Sequence, residues 1–232
     1  SVTRAFQTGD SQKLKRTVEA VLRITFLTAL PMGVGLSVLA QPAALLIYGA
    51  RPGTVIVGRV LTTLGAASVF AALCGPLNSI LQAMGHVELP VVLTLTGLFV
   101  KAVLDYTLAA VPRVNVLGGA VGTLVCYALA SVLACIAIRR IAGVKIDFFS
   151  TFKKPFLASV CCGVAALLTH KAWCAVLPES RFSALPAVFL GALIYVVFLL
   201  IARGICEEDI KALPNGEKIT KRLEKYLQKT GG

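Results

Sequence analysis

Charge is scarce in this sequence. Asp, Glu, Lys and Arg make up 15% of its 232 residues, where a water-soluble globular domain carries ~25%. Acids are the scarcer sign, 11 against 23 Lys and Arg. The two histidines, His86 and His170, lie far apart and no C-x-x-C pair occurs, so neither a zinc site nor a disulfide framework is indicated. There is no G-x-x-x-x-G-K-S/T phosphate loop, no H-E-x-x-H metal helix and no G-x-S-x-G nucleophile turn. Asp105 is the one acid set well inside an apolar run, which removes the paired carboxylates that hydrolysis or glycosyl transfer within the membrane would use. The chain reads as a non-enzyme without cofactor or metal.

What is present is hydrophobic surface. Apolar residues make up 57% of the chain and its mean hydropathy is +0.83, which excludes both an ordinary soluble enzyme and disorder. Apolar runs fall at 21–39, 60–83, 89–111, 116–138, 156–177 and 184–202. Each is close to the ~20 residues that cross ~30 Å of hydrocarbon as a helix and well beyond the ~9–11 of a barrel strand. The expected fold is all-α, a polytopic transmembrane bundle of about six spans. Pro31, Gly33 and Gly35 interrupt the first run, predicting a bend near Pro31, and apolar sequence continues through Pro42 to Tyr48. The seven cysteines, Cys74, Cys126, Cys135, Cys161, Cys162, Cys174 and Cys206, read as small apolar fillers. The chain opens at Ser1 on polar sequence, not on a charged-then-apolar leader, which speaks against a secretory signal and for a fragment of a longer protein.

Basic residues sort by side. Arg4, Lys13, Lys15, Arg16 and Arg23 precede or open the first run, Arg139, Arg140, Lys145, Lys153 and Lys154 lie between the fourth and fifth, and seven more follow the sixth. Alternating the spans puts these seventeen on one face and only Arg51, Arg59, Arg113 and Arg181 on the other, with Lys101 and Lys171 inside spans. Since Lys and Arg in short flanks stay in the cytoplasm on insertion, both termini are predicted cytoplasmic. The net charge of +12 then needs no nucleic acid as partner; membrane lipids, anionic ones at the inner leaflet, are the expected neighbours. The organisation is a polar flank at 1–17, four spans within 18–140, a basic loop at 141–155, two further spans within 156–203 and a basic tail at 204–232. In that tail Ile219, Leu223 and Leu227 fall on one helical face among Lys and Arg, the pattern either of an interfacial helix or of a solvated cationic segment.

A few polar residues interrupt the spans. Lys101 sits near the centre of the third, with Asp105 one turn on. A lone charge at that depth costs ~2.5–3.5 kcal/mol on insertion scales, and i,i+4 spacing lets the two neutralise each other. They form either a cavity-lining pair that meets a charged substrate or coupling ion, or a self-satisfied structural pair. Asn78 and Gln82, also i,i+4 and just past Pro76, offer a polar stripe to a cavity or hydrogen bonds to another helix. Gly118 and Gly122 form a G-x-x-x-G step for close helix approach. His170 and Lys171 are placed near the outer interface, with Trp173 as an aromatic-belt residue.

Several stretches, taken in order and spacing, resemble the C-terminal half of a multidrug/oligosaccharidyl-lipid/polysaccharide (MOP) superfamily flippase, in the branch of stage V sporulation, polysaccharide-biosynthesis and lipid II flippase proteins. They are Leu30-Pro31-Met32-Gly33-Val34-Gly35-Leu36 with Ile47-Tyr48-Gly49, Asn78-Ser79-Ile80-Leu81-Gln82-Ala83-Met84-Gly85, Val100-Lys101-Ala102-Val103-Leu104, Leu117-Gly118-Gly119-Ala120-Val121-Gly122-Thr123, and Glu208-Asp209-Ile210-Lys211-Ala212-Leu213-Pro214-Asn215-Gly216. Asp105 departs from the pattern, which has an amide or apolar residue there. The resemblance implies a partial two-lobe fold, with the first four spans from the second lobe, the last two an extra C-terminal pair, and the N-terminal lobe of the same protein as the missing partner. It also implies alternating access for a lipid-linked oligosaccharide or lipid II-like substrate in the bacterial inner membrane, with a coupling ion or the membrane potential as the energy source. Lys101, Asp105, Asn78 and Gln82 are the substrate-cavity candidates. An ion-coupled multidrug exporter of the same superfamily and a non-transporting membrane scaffold are the competing readings.

Overall fold

In hydrocarbon every backbone N–H and C=O must be satisfied within its own segment, so an apolar run long enough to cross becomes a helix. The computed structural model describes residues 11–111, 115–143 and 148–176, together with Leu193. Six helices fill these: α1 Ser11–Val38, α2 Ala40–Tyr48, α3 Thr54–Ala83, α4 Glu88–Ala109, α5 Asn115–Ala142 and α6 Phe148–Val176. Among the described residues there are no strands. Four helices, α1, α3, α4 and α5, are long and apolar enough to cross a membrane. The described apolar part of α6, Pro155–Thr169, is shorter. The sixth apolar run at 184–202, Leu193 apart, and the tail at 204–232 lie outside the described residues, as do the side chains of His170, Lys171 and Trp173.

Helix α1 begins ten residues ahead of its apolar run. Leu14, Val18, Leu22, Phe26 and Leu30 recur every four residues and are all buried, so an amphipathic stripe carries the helix back into the basic flank. On its more exposed side Lys15 pairs with Glu19 at 3.7 Å. The helix runs through Pro31 unbroken, and the interruption falls at Leu39, after which α2 continues. Helix α3 likewise starts earlier than its apolar run, at Thr54, whose hydroxyl donates to the Gly49 carbonyl at 2.8 Å. Between α3 and α4 the chain turns at Gly85, whose φ of 89° is open to glycine at no steric cost.

The helices stand in the lateral order α4, α5, α3, α1, α6, with α2 beside α3. Although α3 and α4 are consecutive, they touch only sparingly; α4 leans on α5 and is far the least buried of the four spans. The main core gathers at the end where the basic residues lie. There Leu14, Val18 and Leu22 of α1 meet Leu77, Ile80, Leu81 and Met84 at the close of α3, with Ala134 and Ile138 of α5. Toward the other end contacts run through small residues: Gly33 of α1 against Val69 and the Gly65 carbonyl, and Gly163 of α6 against Val34.

Candidate functional site

On α4 the residues Gly97, Lys101 and Asp105 follow at intervals of four and so share one face. Lys101 Nζ donates to Asp105 Oδ2 at 2.7 Å. The other carboxylate oxygen, Oδ1, is buried without a hydrogen-bond partner and abuts Gly122 of α5, occupying the space a side chain there would take. Gly118 meets Leu108 in the same way one turn along, and Gly97 lies against the Cys126 carbonyl. The expected glycine step is therefore the contact that seats the ion pair against α5. Gly97 is a member of this seam that the charged residues overshadow in the sequence, and its interval of four before Lys101 is the signal that marks it.

The pair is not enclosed. Its side chains keep 28% and 36% of their surface open, on an edge helix supported chiefly by α5. Exposure of this kind at mid-span is costly against hydrocarbon even for a neutralised pair, so it calls for an aqueous cavity or another protein element. Asn78 and Gln82 lie on α3, half-buried and exposed respectively, and among the described residues neither side chain has a hydrogen-bonding partner. They are not gathered with Lys101 and Asp105. Counted from the α3–α4 turn at ~1.5 Å per residue, Asn78 is ~8 Å deep and Lys101 ~20 Å. The four candidates thus make two polar patches at different depths.

A separate groove of about 720 Å³ lies among α1, α3, α5 and α6, on the other side of α5 from α4. Phe26, Leu30, Val69, Ile136 and Phe156 are among its walls, and Arg139 is the charged residue on its lining. None of the four candidates reaches it. Among the described residues no group of three or more His, Cys, Asp or Glu could hold a metal, and Cys74, Cys126, Cys135, Cys161 and Cys162 are free thiols. Cys74 lies 3.3 Å from the Ser131 hydroxyl, which itself donates to the Phe70 carbonyl at 3.1 Å, tying α3 to α5.

The sequence model of the lipid II flippase MurJ family matches residues 1–196. The chain belongs to that family. This MurJ-family chain is also 22% identical to the uncharacterized membrane protein YabM of Bacillus subtilis, over 99% of its own length and 43% of that protein. It is 23% identical to stage V sporulation protein B of the same organism, over 92% of its own length and 40% of that protein. It spans less than half the length of the curated relatives it matches. With four helices able to cross a bilayer, the MurJ-family chain is a multi-pass membrane protein. Flippases are transporters, and the non-enzyme reading follows from the family.

Proposed function

We propose that this chain is the C-terminal half of a flippase that moves a lipid-linked saccharide, a lipid II-like or polysaccharide precursor, across the bacterial inner membrane by alternating access. The observation that carries the reading is the Lys101–Asp105 pair, held at mid-span on an edge helix with about a third of its surface open. In such a mechanism the prenyl tail stays in lipid while the diphosphate and sugar cross through a polar path between two lobes. Helix α4 turns its charged edge to that path, and Asn78 and Gln82 extend it toward one membrane surface. The N-terminal lobe of the same protein supplies the opposite wall. Seventeen basic residues at one end favour a cytoplasmic position for both termini. A coupling ion or the membrane potential drives the cycle.

The test uses the full-length protein reconstituted in proteoliposomes with a fluorescent lipid II analogue. Replacing Lys101 by Ala removes the cation that meets the diphosphate, and a loss of about 1.4 kcal/mol of stabilisation slows flipping tenfold. Unchanged flipping by Lys101→Ala refutes the role. Export of cationic drugs, with no movement of the lipid, favours the multidrug reading.

A further inference from the structure

The Lys101–Asp105 pair is held unequally. Asp105 is fixed at both oxygens: Oδ2 accepts from Lys101 Nζ at 2.7 Å, and Oδ1, buried and without a hydrogen-bond partner, abuts Gly122 of α5. Lys101 is held by that one bond. An ammonium carries three N–H donors, so two remain, and 28% of the side chain is open to whatever enters the path. The next acid along α4 is Glu88, ~20 Å away at ~1.5 Å per residue, so on this helix Asp105 alone can hold Lys101. A bare cation at mid-span is costly to carry through a transport cycle and, once an anion has found it, slow to let go. Asp105 cancels the charge without covering the remaining donors.

We propose that Asp105 stays bonded to Lys101 through the transport cycle, so that Lys101 offers two N–H donors to a phosphate of the lipid-linked headgroup from a pair of zero net charge. The inference rests on the flippase reading of this chain and makes Asp105 a positioning residue, which touches Lys101 and not the substrate. The seat at Gly122 fixes Oδ2, and Oδ2 fixes where Nζ stands. The carboxylate also opposes the charge of the phosphate, which keeps the bound headgroup in a shallow well from which it can leave. The empty site then returns as a neutral pair, without an ammonium that has lost its anion.

Flipping by the full-length protein in proteoliposomes is measured against the concentration of a fluorescent lipid II analogue, giving a half-saturating concentration and a maximal rate. Asp105→Asn keeps the shape of the side chain and removes its charge. The half-saturating concentration is expected to fall about fivefold and the maximal rate about threefold, the mark of a tighter ground state and a slower turnover. Lys101→Gln combined with Asp105→Asn leaves no bare charge to prevent folding and keeps an amide with two donors in place of the ammonium; it is expected to flip at least about threefold faster than Lys101→Ala. Where Asp105→Asn alone does not accumulate, the double variant decides. An unchanged or raised half-saturating concentration in Asp105→Asn overturns the proposal, and so does a double variant no faster than Lys101→Ala. Slowed flipping in Lys101→Ala beside an unaltered Asp105→Asn strikes this inference alone, whereas unchanged flipping in Lys101→Ala strikes the role of Lys101 beneath it and this inference too.

Discussion

Gly122→Ala is the substitution for which the structure sets the sharpest expectation. In a helix interior alanine is favoured over glycine by up to ~1 kcal/mol. At Gly119, where an added methyl meets nothing within 4 Å, that gain stands alone. At Gly122 the same methyl falls onto Asp105 Oδ1 and comes to 3.5 Å from Lys101 Cγ. Either α4 shifts away from α5 or the carboxylate swings off Lys101, and forced repacking of this sort costs ~1–3 kcal/mol. Gly122→Ala is therefore expected to unfold more readily than Gly119→Ala by ~1–3 kcal/mol. Reversible unfolding in mixed micelles, followed by circular dichroism, measures the difference. Combining Gly122→Ala with Asp105→Ala removes the obstructing oxygen, so the double variant should show a coupling of ~1–2 kcal/mol in favour of the pair. If the two glycine variants unfold within ~0.5 kcal/mol of each other, the ion pair is not seated against Gly122 and the account of the seam is wrong.

Three further outcomes follow from the same geometry. Lys101→Met leaves Asp105 without its counter-ion and should lower the yield of folded protein, in line with ~2.5–3.5 kcal/mol for a lone acid at mid-membrane; Lys101→Met with Asp105→Asn recovers most of it, and equal yields from the single and double variants contradict the pairing. Ser131→Ala removes the hydroxyl that bonds the Phe70 carbonyl and the Cys74 thiol and should cost ~0.6 kcal/mol, at most ~1.7, by the same unfolding assay. In a cysteine-free background, His86→Cys and Arg51→Cys should react with an impermeant maleimide from opposite faces of sealed vesicles; reaction from one face alone rejects the topology.

Spans were legible in this sequence because hydrocarbon imposes one requirement on length and composition together. The limits 89–111 and 116–138 fall within a few residues of α4 and α5 for that reason. Helix α1 was misplaced at its start because Leu14 and Val18 are spaced among Lys15, Arg16 and Glu19, and a search for unbroken apolar sequence passes over a stripe. The break at Leu39 is marked by Pro42, which has no N–H to give the Val38 carbonyl and crowds it, so α1 ends there. Pro31 is carried inside α1, where Gly33 seats the helix on Val69 and Gly65. The Lys101–Asp105 pair could be read from an interval of four. Its seating on Gly122 could not, because Gly118 and Gly122 announce a close contact without naming the partner helix. The groove was invisible for the same reason: Phe26, Val69, Ile136 and Arg139 are ordinary residues until three helices bring them together.

Helix length has a mechanical consequence. At ~1.5 Å per residue α3 is ~45 Å long and α1 and α5 are ~42 Å, while α4 is only ~33 Å. The first three overhang a ~30 Å hydrocarbon slab and can slide or lean without exposing apolar ends, but α4 has almost nothing to spare. A membrane that thickens by a few ångströms therefore loads α4 first, at fractions of a kcal/mol for each ångström of mismatch. That helix has one firm neighbour and bears the Lys101–Asp105 pair, so bilayer thickness acts as a tension on the part of the molecule least able to share it.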